Sequence, residues 1–107
     1  MFPGGETVKE SEVRRQIQDY LKWQGWFVFY LLQGLGSYPG LSDLVAVKGG
    51  RVVFLEVKRP KGGKQSEKQE RFQQRLEAAG GEYIVARDIA DVEHLAGEKQ
   101  MRIREGK

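Results

Sequence analysis

The chain has 107 residues, enough for one domain with a single modest core and too few for two. Eighteen Lys and Arg stand against 15 Asp and Glu, a formal charge of +3; the excess is too small for a histone-like binder, so nucleic-acid contact must come from local clustering. The absence of cysteine excludes disulfides, thiolate zinc sites and a Cys nucleophile, and a single histidine, His94, leaves no His-based metal cage.

Thr7 and Glu10 have capping-box spacing, which predicts a helix from about Val8. Val13, Ile17, Tyr20 and Leu21 recur at helical spacing as its buried stripe, and Gly25 is suited to end it. WFVFYLL, residues 26–32, is β-rich and apolar at successive positions, and predicts a strand covered on both faces. It is also the longest apolar run, far short of the roughly 20 residues that cross a bilayer, so no membrane span is expected. The opening MFPGGETVKE has neither a basic start nor an apolar h-region, so an intracellular, cytoplasmic location is expected.

QGLGSYPGLS is a loop. DLVAVKGGRVVFLEVK then predicts two strands joined at Gly49 and Gly50, because two glycines supply the positive φ angles of a tight type I′ turn. Ser66 and Gln69 repeat the capping-box spacing, ahead of a second helix with Phe72, Leu76 and Ala79 as its stripe and Gly80 and Gly81 as its stop. EYIVAR predicts a fourth strand, and DIADVEHLAG a short third helix with Ile89, Val92 and Leu95 inward. The charged end, residues 98–107, is expected to be a loose tail. The order αβββαβα gives an α/β fold, a small mixed sheet flanked by helices.

A two-residue turn at Gly49 and Gly50 pairs residues whose numbers sum to 99, so Asp43 falls opposite Glu56 on one face with Cβ atoms about 4.5–5.5 Å apart. Lys58 shares that face. An odd-length turn would put the two acids on opposite faces. Carboxylates held so close repel one another, a strain that a bound cation relieves, and magnesium commonly uses one or two carboxylates with several waters. The competing reading is a charged strand end in which Glu56 simply pairs with Lys58 or Arg59; the register and the basic loop beside it favour the site.

These residues carry a resemblance. Gly40, Asp43 and Leu44 in GLSDL, then LEVKRP after ten intervening residues, then QSEKQERF, resemble the PD-(D/E)XK nuclease superfamily and, within it, the small stand-alone VRR-NUC domains of phages and bacteria. The likeness runs from ESEV near residue 10 to GGEYIVARDIADV. It implies a restriction-endonuclease-like fold over one domain and Mg2+- or Mn2+-dependent phosphodiester hydrolysis, often on branched DNA in the manner of Holliday junction resolvases. Asp43, Glu56 and Lys58 match the motif residues, and the resemblance makes the Val57 backbone carbonyl a further metal ligand. Ser42 stands where the family usually has proline, a residue that shapes the chain without binding the ion.

The resemblance also implies a glutamate on the first helix and a glutamine on the second. Glu10 and Glu12 compete for the first; Glu10 lies within the stripe of Val13, Ile17 and Leu21, and is favoured as a catalytic or metal-binding acid, although it also has a capping position. Gln69 is both a capping residue and a polar group on the face turned to the sheet, where it needs a partner. Arg14, Arg59, Lys61 and Lys64 are candidate phosphate contacts. Tyr38 is a candidate stacking residue for an unpaired base, with packing the equal alternative. His94 reads as a surface or packing residue, and Trp23 and Trp26 as core or subunit contacts. Cutting both strands of a branch with one site per 107-residue chain favours a homodimer. A restriction-type or nonspecific nuclease, and a non-catalytic DNA-binding module on the same fold, are the alternatives.

Overall fold

A computed structural model describes residues 8–32, 34 and 36–96. Helix α1, Glu10–Trp23, is followed by strands β1 (Phe27–Tyr30), β2 (Leu44–Lys48) and β3 (Arg51–Val57), helix α2 (Glu67–Ala78), strand β4 (Glu82–Ala86) and a 3-10 turn, Ile89–Val92. The sheet order is β1-β2-β3-β4, with β1, β2 and β3 antiparallel and β4 parallel to β3. The parallel pair follows from chemistry already in the sequence: α2 lies between β3 and β4 and supplies the crossover that parallel strands require.

Side-chain alternation divides the sheet into two faces. Val28, Leu44, Ala46, Val53, Leu55, Val57 and Ala86 pack with Val13, Ile17 and Leu21 of α1 and with Val92 and Leu95 as the main core. On the other face the Phe72 ring of α2 meets Phe54 and Tyr83, paired positions of β3 and β4, and Tyr38 of the loop before β2. A bidentate Arg51–Glu82 ion pair, with N···O distances of 2.7 and 2.8 Å, fastens β3 to β4 at the opposite end from the carboxylates.

Several expectations are corrected. Helix α1 starts at Glu10, two residues later than expected, with Lys9 as its N-cap and no side-chain cap; Thr7, and with it the expected capping box, lies outside the described residues, as does the charged tail at 98–107. The apolar run yields a strand of only four residues, and that strand is covered on one face: Val28 is buried, whereas Phe27 and Phe29 are exposed. The reason is position. β1 is an edge strand, and α2 covers the face over β3 and β4 instead. Ala79 follows α2 as its C-cap and is exposed, so that helix's stripe reduces to buried Phe72 and half-buried Leu76. The third helix opens as the 3-10 turn before helical residues 93–96, with Val92 and Leu95 buried and Ile89 only partly so. Trp26 is core, but Trp23 is 82% exposed. Among the described residues no helix is long and apolar enough to cross a membrane.

Candidate active site

Gly49 and Gly50 both adopt positive φ, 59° and 82°, the signature of the type I′ turn. The β2–β3 register runs Lys48 with Arg51, Val47 with Val52, and on to Leu44 with Leu55, every pair summing to 99 as the sequence requires. Asp43 is the next residue along and stands across from Glu56. Its backbone N–H donates to the Leu55 carbonyl at 3.0 Å, and its Oδ2 accepts from the Val57 N–H at 2.8 Å. Leu55 and Val57 thus turn their backbone polar groups toward β2, while the Lys58 N–H turns the other way, to Ala86 of β4. By that alternation the Val57 carbonyl faces the Asp43 side.

Glu56 is 1% exposed. Its Oε2 accepts from Gln69 Nε2 at 2.6 Å and lies 3.5 Å from Lys58 Nζ, whereas its buried Oε1 has no hydrogen-bond partner among the described residues. Burial first, and then the charge of Asp43, push the Glu56 carboxyl up to about 7, against the partial relief given by Lys58. A buried carboxylate oxygen with no partner, beside a second acid, has the donor chemistry of a hard-cation site. Among the described residues no three Asp, Glu, His or Cys side chains cluster closely enough to hold a metal ion. Two carboxylates and a backbone carbonyl are therefore the oxygen donors gathered here.

Gln69 fills both of its alternatives at once. Its Oε1 accepts from the Ser66 N–H and its N–H donates to Ser66 Oγ, completing the capping box, while its Nε2 holds Glu56. The local signal for a helix start thereby sets the rotamer of the second acid.

A cleft of ≈ 520 Å³ beside these groups is lined by Glu10, Lys58, Arg59, Lys61 and Lys64, with Gly62 and Gly63 in the loop wall. Glu10 faces this cleft and raises the Glu56 pKa further by its charge; Glu12 is exposed and does not line it. Arg14 does not itself line the cleft but donates to Glu10 Oε2 at 3.0 Å. Tyr38 stays half out in solvent, its ring 5.6 Å from that of Phe72 and its hydroxyl accepting from Arg75 Nη1 at 3.1 Å. His94 is exposed.

Two contributors act through contacts with distant parts of the chain that no local pattern announces. Arg87 Nη1 donates to the Arg59 carbonyl at 3.1 Å and ties the basic loop to the end of β4, across 28 residues of chain. Gly40, with φ of 80°, lies where a Cβ would strike the Lys68 backbone in the first turn of α2, so only glycine lets the chain approach Asp43 along this path. Ser42 beside it is fully buried, and its hydroxyl has no partner among the described residues.

No protein-family model matches the chain, and no curated protein does. Among solved structures, one described as a VRR_NUC domain superposes with a TM-score of 0.71 at 26% sequence identity, over 83% of this chain and 95% of that one. The likeness extends over almost the whole of the solved domain: the chain has the VRR-NUC fold.

Proposed function

We propose that the chain is a divalent-metal-dependent DNA endonuclease that hydrolyses phosphodiester bonds in branched DNA and works as a homodimer. The observation that carries the reading is the convergence of Asp43 and Glu56 at the open end of the hairpin, with Glu56 Oε1 buried and without a hydrogen-bond partner among the described residues. The likeness to a VRR_NUC domain supports the same reaction class.

Asp43, Glu56 and the Val57 carbonyl would hold Mg2+ or Mn2+, an oxygen set of the kind these ions take together with water. When bound, the ion supplies Lewis acidity and a more acidic water. The chain's own groups do the rest. Gln69 holds Glu56 by Oε2 and so leaves Oε1 for the ion. Lys58, 12% exposed at its side chain, orients the attacking water and offsets charge developing on the phosphate. Glu10 adds a further acid at the rim, and Arg14, Arg59, Lys61 and Lys64 position the backbone without reading sequence.

Support for the dimer comes from the open face at β1. Phe27 and Phe29 are exposed there, and β1 is a sheet edge, a surface of the kind that pairs with another copy.

The test is to incubate the protein with a four-way junction, a flap, a linear duplex and single-stranded DNA, with Mg2+, Mn2+ or chelator. Cleavage of the branched substrates is expected only with metal. Asp43→Asn is expected to lower the rate at least about a hundredfold while DNA binding persists; a variant that cuts at the parent rate ends the proposal.

A further inference from the structure

Helix α2 is electrically two-sided. At about 100° per residue, Lys68, Arg71 and Arg75 fall within about 60° of one another, with Glu67 at the very start of the helix about 40° beyond Arg71, whereas Glu70 and Glu77 lie round the far side. The structure orients the two flanks. Glu70 looks toward β4, lining a cleft with Val85 and Arg87. The three cations look the other way and, with Tyr38 and Pro39, line a second cleft of ≈ 450 Å³ that shares no residue with the one beside Glu56.

Three features make this more than a solvated helix face. Lys68, Arg71 and Arg75 are all exposed, and neither Lys68 nor Arg71 forms an ion pair with another described residue. Arg75 is held in place by its hydrogen bond to the Tyr38 hydroxyl, and Tyr38 in turn by the Phe72 ring, so one wall of the cleft is built. The row also begins at the site: Lys68 adjoins Gln69, the residue that grips Glu56. From Lys68 to Arg75 the helix rises about 10 Å, the span of roughly three phosphates along one DNA strand.

We infer that the basic flank of α2, Lys68, Arg71 and Arg75 with Tyr38, is a second DNA-backbone site that holds an arm of the substrate leading away from the cut. It rests on the reading of the chain as a DNA-processing domain. Arg59, Lys61 and Lys64 grip the backbone on one side of the carboxylates, and the α2 flank grips it on the other. Two grips on separate clefts engage a substrate whose backbone leaves the site in two directions, which describes a branch better than a straight duplex. Tyr38 then serves as the brace for Arg75 and a wall for the backbone.

The experiment is binding of labelled four-way junction and linear duplex DNA in chelator, where no cleavage occurs, across a salt series. The variant carries Lys68→Gln, Arg71→Gln and Arg75→Gln, with its melting temperature checked against the parent. The slope of log K against log salt for the junction is expected to fall by about 2–3, and affinity at moderate salt by tenfold or more. A companion variant restores the lost charge on the opposite flank through Glu70→Lys and Glu77→Gln. It is expected to stay weak; recovery of junction binding would mean that net charge alone matters and would overturn the inference. An unchanged slope in the first variant would overturn it too, and would leave the flank to an acidic protein segment. A parent protein that binds DNA through this flank yet cleaves nothing with metal present would sink the nuclease reading and spare this one.

Discussion

Glu56 is held by contradictory demands. Burial and Asp43 favour its protonated form, Lys58 and the Gln69 amide steady its Oε2, and its Oε1 has no partner among the described residues. Its folded pKa of about 7 lies above the ordinary 4.5, so without metal the folded state holds a proton that the unfolded chain releases. The stability this contributes is fully present below pH 4.5 and is lost as pH rises through about 7. At about 1.4 kcal/mol per unit the loss reaches about 3 kcal/mol. In chelator, the melting temperature is expected to fall between about pH 5 and pH 8, and Glu56→Gln is expected to flatten that fall. Mg2+ is expected to restore stability to the parent at pH 8 and not to the variant. Parallel pH curves for the two proteins in chelator would contradict this account of Glu56.

At the scale of elements, the site is an assembly of three starts and stops: the N-terminus of α1, the open end of the β2–β3 hairpin and the N-terminus of α2. The glycine turn sets which acids face one another, and the capping box aims Gln69 at Glu56. The approach of the loop to α2 depends on Gly40, whose Cβ would overlap the Lys68 backbone and whose φ is positive. Gly40→Ala is therefore expected to destabilise the fold by about 3 kcal/mol, measured by denaturant unfolding. Gly36→Ala serves as the control, since it has positive φ but open space around it, and is expected to cost about 1 kcal/mol. Equal losses at the two positions would mean that backbone conformation, and not the close approach, is what Gly40 provides.

For the whole molecule, the uneven cover of the sheet matters most. α1 covers one face, α2 covers only the β3 and β4 end of the other, and β1 is left as an apolar edge with the Phe27 and Phe29 rings 5.2 Å apart. If that edge joins two copies, Phe27→Glu, at a side chain 66% exposed in the single chain, is expected to leave folding intact and weaken the dimer by about a hundredfold or more. Sedimentation over a concentration series reads this directly; a dimer of parent strength in the variant would assign the contact to another surface.

The sequence by itself determined the hairpin parity, the opposed acids and the capping box of α2, because each is set by hydrogen bonds and φ angles within a few residues of chain. It also ordered the elements, since helical and strand periodicities are local. Only the tertiary structure decided that Glu10 and not Glu12 faces the cleft, that Arg87 anchors the basic loop, that β1 lies at an edge with Trp23 in solvent, and that the cations of α2 turn toward Tyr38. Those outcomes depend on which surfaces, distant in the chain, come to lie against each other. An apolar residue looks the same in the sequence whether a helix covers it or water does.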